Sequence, residues 1–196
     1  MNFIAAFFIT VFDGLAVGDP DDNPEYSERE LEIAFWCFTQ LLEDPRYNFA
    51  AYYDHHFSGL LTDWRKMAEI VEAEMPRIRE HLITVHGDVA DCATAFAAWF
   101  LTILTPEHFS SEGTARLWDL IITHGREIFL RVILVLLRRF EAYLWGRTIN
   151  AEILTHISVN NGPGQFWQVN QDVDQILKEA LDIDPTIFDD GFVVVD

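Results

Sequence analysis

The stretch that decides the fold is FAAWFLTILTPEHFSSEGTARLWD, residues 96–119. Large apolar side chains in its first half recur at the three- and four-residue steps of one helix face: Phe96, Trp99, Phe100, Ile103 and Leu104. Pro106 ends this helix, because the residue before a proline is biased out of the helical region. Ser110 or Ser111 can cap a second helix, which carries Ala115, Leu117, Trp118, Ile121 and Ile122. We therefore expect Trp99 and Trp118 to lie on consecutive helices and to be mostly buried.

Helical periodicity continues outward in both directions from this stretch. Upstream, Ser27 and Glu30 form a capping box for a helix that Pro45 stops. One face of that helix is predicted to carry Leu31, Ala34, Phe35, Phe38, Leu41 and Leu42. Asp63 can cap a helix bearing Trp64, and Pro76 suits the first turn of the next one.

Downstream, Gly125 breaks the chain before the longest predicted helix, residues 126–145. Its apolar stripe comprises Ile128, Phe129, Val132, Ile133, Leu136, Leu137, Phe140 and Leu144, with Arg138, Arg139 and Glu141 off the stripe. Asn170 or Asp172 caps a last helix that Pro185 ends. Residues 2–12 are apolar nearly all round, so a helix there needs neighbours on most sides.

The composition indicates one acidic, core-forming domain. Half of the 196 residues are apolar, and the net charge is -19. Residues 12–32 and 170–196 each carry a net charge of -7, so the acidity lies mainly in one loop region and one tail. Nucleic acid and anionic lipid are excluded as partners, because both require a basic surface. No run reaches the ~20 apolar residues that direct membrane insertion needs.

Side chains that could carry chemistry are not gathered in any motif. Cys37 and Cys92 lie in apolar helical contexts and read as reduced core residues. His55 and His56 are adjacent, while His81 and His86 are five apart, so neither pair has the spacing of metal ligands on one helix face. We assign no catalytic, cofactor-binding or metal-binding residue. Arg116 and Asp119 could form a stabilising intrahelical pair.

Several stretches follow one another in a recognisable order: residues 1–6 (MNFIAA), 32–36 (EIAFW), 52–82, 99–102 (WFLT) and 116–119 (RLWD). In this order they resemble the TBC domain, an all-helical family that accelerates GTP hydrolysis by Rab GTPases. The resemblance covers about residues 1–182 and implies an all-α, orthogonally packed helical array like the C-terminal lobe of that domain. It gives a structural role to Met1, Asn2, Trp36, Trp99, Arg116, Trp118 and Asp119.

The same resemblance implies a gap in the chemistry. TBC domains supply an arginine from Ile-x-x-Asp-x-x-Arg and a glutamine from Tyr-x-Gln, and neither motif occurs in this sequence. Methionine follows Tyr-x-Gln-Gly in the family pattern and is residue 1 here, so we expect upstream in-frame sequence to encode both motifs. The chain is thus expected to be a partial TBC domain, residues 1–182, with an acidic C-terminal tail, residues 183–196.

The expected function is that of a Rab-directed GTPase activator in vesicle traffic that is inactive alone, without a cofactor of its own. The alternative is a non-catalytic helical binding or scaffold module. The expected location is the cytoplasm, at the periphery of endomembranes through partners. Residues 2–12 are expected to promote self-association, because not all of their large side chains can be covered.

Overall fold

The computed structural model describes residues 28–89, 96–104, 109–145 and 172–188. These residues form seven α-helices, two 3-10 helices and no strand, which confirms the all-α class. The α-helices are α1 (Glu28–Glu43), α2 (Ser58–Glu74), α3 (Pro76–His86), α4 (Ala97–Thr102), α5 (Ser111–His124), α6 (Arg126–Leu144) and α7 (Val173–Leu181). The 3-10 helices span Phe49–Tyr52 and Pro185–Phe188.

Helix α6 is the centre of the core. It contacts α3, α5 and α7, which together cover it on several sides. Every residue of its predicted stripe is buried, and so are Leu130, Leu134 and Val135 outside that stripe. A helix that is apolar nearly all round is stable only when neighbours surround it, and α6 meets that condition.

Helix ends follow the local signals that the sequence contains. The Ser110 side chain accepts a hydrogen bond from the Gly113 amide at 3.1 Å, and Asp172 accepts one from the Gln175 amide at 3.0 Å. Each side chain thereby satisfies an amide that the first helical turn leaves unpaired. Gly125 separates α5 from α6 with φ 81°, a conformation that glycine adopts without steric cost.

The end of α4 differs from the prediction. The helix stops at Thr102, and Ile103 and Leu104 follow with φ 51° and 50°, in the left-handed region. Both side chains are nevertheless buried, as their spacing predicted. Left-handed residues other than glycine cost about 1–2 kcal/mol each, which burial of two large apolar side chains can offset. Pro106, the predicted terminator, lies outside the described residues.

The predicted apolar face of α1 is only partly correct. Ala34 and Leu41 are buried, and Phe38 and Leu42 pack partly against the core. Leu31 and Phe35 are exposed instead, at 41% and 59%. The helical period fixes which residues share a face, but it does not fix how far along the helix the core extends.

Other predictions fall outside the described residues. They concern the helix at 2–12 and Cys92. Of the predicted tail, residues 183–188 are described, and Phe188 is buried with its carbonyl accepting a hydrogen bond from Lys66 Nζ at 3.0 Å. The domain boundary at residue 182 stays a prediction. Within the described ranges, no helix is both long and apolar enough to cross a membrane.

Candidate functional site

Each of the two predicted core tryptophans lies in a cluster of aromatic contacts. Trp99 on α4 meets the Phe96 ring edge-on at 5.2 Å, and Phe96 in turn stacks on Trp64 of α2 at 5.0 Å. Trp118 on α5 meets Phe49 of the first 3-10 helix at 6.1 Å. Trp99 is fully buried and Trp118 is 3% exposed, so their predicted burial is confirmed. Such edge and offset ring pairs contribute about 0.5–1.5 kcal/mol each beyond their buried area.

A buried polar cluster joins three elements beside this aromatic core. The Tyr52 hydroxyl of the first 3-10 helix donates to Asp63 Oδ2 of α2. A guanidinium nitrogen of Arg126, the first residue of α6, lies 3.7 Å from Asp63 Oδ1. Burial raises the pKa of Asp63 above its usual range, and the positive charge of Arg126 opposes that shift. Because all three side chains are buried, the cluster holds elements together and does not face a substrate.

Asp63 was predicted to be a helix cap, and that prediction is wrong. Helix α2 begins earlier, at Ser58, whose amide donates to Asp54 Oδ1 at 2.9 Å. Asp63 therefore lies inside the helix. The sequence does contain the relevant signal: Asp63 shares the three- and four-residue spacing of Leu60 and Met67, so an acidic residue stands at a core position.

Glu141 was also placed wrongly by the sequence, which put it off the apolar stripe of α6. It is 9% exposed, and its two carboxylate oxygens accept hydrogen bonds from the amides of Arg77 and Ile78 at 3.0 and 2.8 Å. These amides belong to the first turn of α3, which Pro76 opens without a side-chain cap of its own. A carboxylate at a helix N-terminus accepts hydrogen bonds from amides that have no partner within the helix, and its negative charge interacts favourably with the positive end of the helix dipole.

Arg116 contacts other residues than the predicted one. Its guanidinium pairs with Glu112 at 2.8 Å, one turn earlier on α5, and with Asp174 on α7. The hydrogen bond to Asp174 raises the pKa of Arg116. The predicted ion pair of Arg116 with Asp119 is therefore wrong, because the Arg116 guanidinium pairs with Glu112 and with Asp174 instead. Arg116 links α5 to α7 at the surface.

A groove of about 620 Å³ lies between α6 and the segment that follows α7. Val135, Ala142 and Ile187 line it together with Arg138 and Arg139. Both arginines already pair with carboxylates, Arg138 with Glu74 at 2.9 Å and Arg139 with Glu179 at 2.8 Å. The groove thus combines apolar side chains and two paired arginines with two further carboxylates, Asp182 and Asp184.

The residues singled out from the sequence do not converge on one chemical site. Trp99 and Trp118 lie in the core, whereas Trp36 is 59% exposed on α1, with Phe35 edge-on to it at 5.4 Å. Asp119 is exposed, and Met1 and Asn2 lie outside the described residues. In the part of the chain that the structure describes, no three His, Cys, Asp or Glu side chains are grouped to hold a metal. The structural role assigned to these seven residues stays a prediction.

Helices packed around α6, with charges paired between elements, define an all-α domain whose fold-deciding motifs lie on α4 and α5. The model of the Rab-GTPase-TBC domain family matches residues 1–145, and the chain belongs to this family. TBC-domain proteins are regulators of GTPases.

Two of the three similar proteins below carry TBC in their names. Growth hormone-regulated TBC protein 1 of Xenopus laevis is 25% identical over 144 residues, which is 74% of this chain and 35% of that protein. Carabin of Mus musculus is 27% identical over 107 residues, covering 55% of this chain and 22% of that protein. TBC1 domain family member 2A of Rattus norvegicus is 27% identical over 112 residues, covering 56% of this chain and 11% of that protein.

The chain thus spans less than half of the length of the curated relatives it matches, from 11% to 42%. No solved structure matches it.

Proposed function

We propose that this chain binds a Rab-type GTPase and that the 196-residue polypeptide does not accelerate GTP hydrolysis on its own. The match of the Rab-GTPase-TBC domain family to residues 1–145 carries the first half of the proposal. The second half rests on the sequence, which contains neither Ile-x-x-Asp-x-x-Arg nor Tyr-x-Gln. An arginine finger accelerates hydrolysis by ~10³–10⁵, so its absence removes most of the activation.

Three of the described arginines are held in ion pairs within the chain. Buried Arg126 faces Asp63, and the arginines of the groove pair with glutamates. An arginine finger must instead reach into the nucleotide site of another protein, where it stabilises developing charge. These three arginines are held by structural pairs and are poor substitutes for it.

The test is a single-turnover GTP hydrolysis assay over a panel of GTP-loaded Rab proteins, with a TBC protein that carries both motifs as the positive control. We expect the 196-residue chain to change no hydrolysis rate by more than about tenfold. A pull-down with the same loaded proteins tests binding separately. Acceleration above tenfold refutes the claim of inactivity, while absence of binding to every panel member refutes the claim of a Rab-type partner.

A second candidate function is that of a non-catalytic binding or scaffold module. The observation that favours it is the exposed apolar face of α1, with Phe35 and Trp36 each 59% exposed. Contiguous exposed apolar surface marks sites where other chains bind. Binding that does not depend on whether the GTPase carries GDP or GTP would favour the scaffold over a regulator.

We further propose a cytoplasmic protein that reaches endomembranes through its partners and that tends to self-associate through residues 2–12. The apolar character of that segment supports self-association. Size-exclusion chromatography with light scattering measures it directly. A mass that stays at the monomer value of 22.6 kDa as the concentration rises contradicts this part of the proposal.

A further inference from the structure

The groove between α6 and the segment that follows α7 has apolar side chains along both of its walls. The α6 wall runs from Val135 to Ala142, which is about 10 Å along the helix axis. The opposite wall carries Ile183 and Ile187, both half-buried and packed against the core. The volume of about 620 Å³ lies within the range of binding pockets, roughly 300–1,000 Å³. An elongated groove of this kind fits the apolar face of a helix.

Both arginines that line the groove are already paired with carboxylates. Arg138 pairs with Glu74 at 2.9 Å, and Arg139 pairs with Glu179 at 2.8 Å. Each pair sums to a net charge of zero. The charge that the groove presents to a ligand is therefore set by its remaining carboxylates.

These carboxylates are Asp182 and Asp184, and both residues are exposed. The backbone amide and the hydroxyl of Thr186 donate to Asp184 Oδ1 at 2.9 and 2.8 Å, and these bonds lower the pKa of Asp184. Arg131 also acts on Asp184, but its guanidinium pairs with Glu127 on its own helix. The groove thus has a formal excess of two negative charges beside its apolar walls.

We propose that this groove binds a basic amphipathic helix of another protein. The apolar side chains of that helix lie between α6 and the isoleucines, and its lysines or arginines lie beside Asp182 and Asp184. The net charge of -19 attracts such a segment from a distance, whereas a second copy of this chain would bring like charges together. Five of the nine lining residues follow residue 145, where the family match ends, so this surface does not depend on the proposed Rab-type partner.

Fluorescence anisotropy of a labelled model peptide tests the groove on the full 196-residue chain. The probe is a peptide of about 15 residues with leucines on one helix face and lysines on the other. One comparison peptide replaces every lysine by glutamate, and another keeps the composition but distributes the leucines around the helix. We expect the basic amphipathic peptide to bind at least about tenfold more tightly than either of them.

Two variants of the chain test whether the peptide binds in the groove. Ala142→Trp places a large ring in it from an exposed position, and D182N/D184N removes the two negative charges. We expect Ala142→Trp to raise the Kd of the basic peptide about tenfold or more, because the ring occupies the space of an apolar anchor. We expect D182N/D184N to raise it about fivefold, since exposed ion pairs contribute modestly.

Matched controls make the same chemical changes at exposed positions outside the groove. Ala73→Trp adds a ring on α2, and E28Q/E32Q removes two negative charges on α1. We expect each control to change the Kd less than about twofold, because neither alters the surface that the peptide contacts. Thermal melting of every variant reports whether it remains folded. Should Ala142→Trp fail to fold, D182N/D184N still decides the outcome.

Three results overturn the proposal. The first is a basic peptide that binds no more tightly than the peptide with distributed leucines. The second is a folded D182N/D184N that loses no more affinity than E28Q/E32Q, because binding then reflects only the overall negative charge of the chain. The third is binding that occurs only when the chain ends at residue 188, because residues 189–196 of the chain itself are then the occupant of the groove.

Discussion

The buried carboxylate of Asp63 on α2 interacts with side chains of two other elements, the first 3-10 helix and α6. Asp63→Ala removes the acceptor of the Tyr52 hydroxyl and the carboxylate that Arg126 faces. Because this leaves polar groups buried without compensation, we expect the free energy of unfolding to fall by about 3–5 kcal/mol. Urea denaturation measures the loss.

The matched double variant D63L/R126M replaces both charges with apolar side chains. We expect it to lose less than the sum of the two single variants, because no charge is left uncompensated. A double variant whose loss equals that sum would show that Asp63 and Arg126 are not coupled.

Trp99 and Trp118 should each be indispensable for stability. Both are buried among other rings, so replacement by alanine leaves a cavity and removes ring contacts. We expect Trp99→Ala and Trp118→Ala to lower the free energy of unfolding by roughly 3–5 kcal/mol each. Trp145→Ala is the control, because this 63% exposed ring should cost less than about 1 kcal/mol. Thermal melting followed by circular dichroism would contradict the prediction if either core variant melts like the parent.

Ionisation of Tyr53 is expected to lower the stability of the domain at alkaline pH. Its hydroxyl donates to the Leu101 carbonyl at 2.7 Å, and burial raises its pKa above the ordinary value of 10.0. The unfolded chain therefore releases this proton at a lower pH than the folded chain. Stability from Tyr53 is present below about pH 10 and is lost as pH rises, by up to ~1.4 kcal/mol per pH unit.

Tyr53→Phe should remove this contribution while leaving that of buried Tyr52 in place. Urea midpoints at pH 8 and pH 11 measure it, and we expect the parent to lose more stability between them than the variant does. Equal losses would mean that Tyr53 does not titrate differently in the folded and unfolded chains.

Side chains whose role depends on distant residues were the ones that the sequence misplaced. Asp63 and Glu141 are polar residues within helices, and local rules assign such residues to caps or solvent-facing positions. Asp63 pairs with Arg126, which lies 63 residues further along the chain. Glu141 accepts hydrogen bonds from the amides of Arg77 and Ile78, which lie on another helix, 64 and 63 residues earlier. Burial of the tryptophans, in contrast, follows from their place on an apolar stripe, which is local information.

At the scale of elements, helices α5 and α7 pack closely where Gly113 faces Val173. A Cβ atom at this position would lie 2.7 Å from Val173 Cγ2, closer than side chains can approach. Gly113→Ala gains up to ~1 kcal/mol of helix propensity but incurs roughly 1–3 kcal/mol of overpacking. We expect a net loss of stability, measured as a lower urea midpoint.

The rescue variant is G113A/V173A, in which the smaller side chain at 173 removes the clash. We expect its loss of unfolding free energy to be smaller than the sum of the losses in the single variants Gly113→Ala and Val173→Ala. Gly113→Ala that is as stable as the parent would show that the two helices can separate at no cost.

Helix existence was predictable from the sequence, and helix limits were predictable where a local signal acts. Ser110, Asp172 and Gly125 end or begin helices as their chemistry predicts. The end of α4 was not predictable, because Ile103 and Leu104 adopt a left-handed conformation that their residue types disfavour. Tertiary burial decides that position, and periodicity alone does not contain it.

At the scale of the whole molecule, the matched family domain and the described core have different limits. The family model ends at residue 145, yet α7 and the second 3-10 helix pack against the matched part. Their buried side chains are Val173, Ile176, Leu177, Ala180 and Phe188. Arg139 on α6 pairs with Glu179 on α7 at 2.8 Å, and Lys66 on α2 binds the Phe188 carbonyl.

Residues 173–188 should accordingly be required for folding of the matched domain. A chain ending at residue 171 exposes the side of α6 that α7 covers, and each large side chain so exposed forgoes ~1.5–3 kcal/mol. Several such losses together approach the 5–15 kcal/mol that ordinarily stabilises a domain. We expect this chain to lose cooperative thermal melting, whereas a control chain ending at residue 188 keeps it, because the latter retains every buried residue named above. If the 171-residue chain melts as cooperatively and at the same temperature as the control, α7 is an appendage and the core is complete without it.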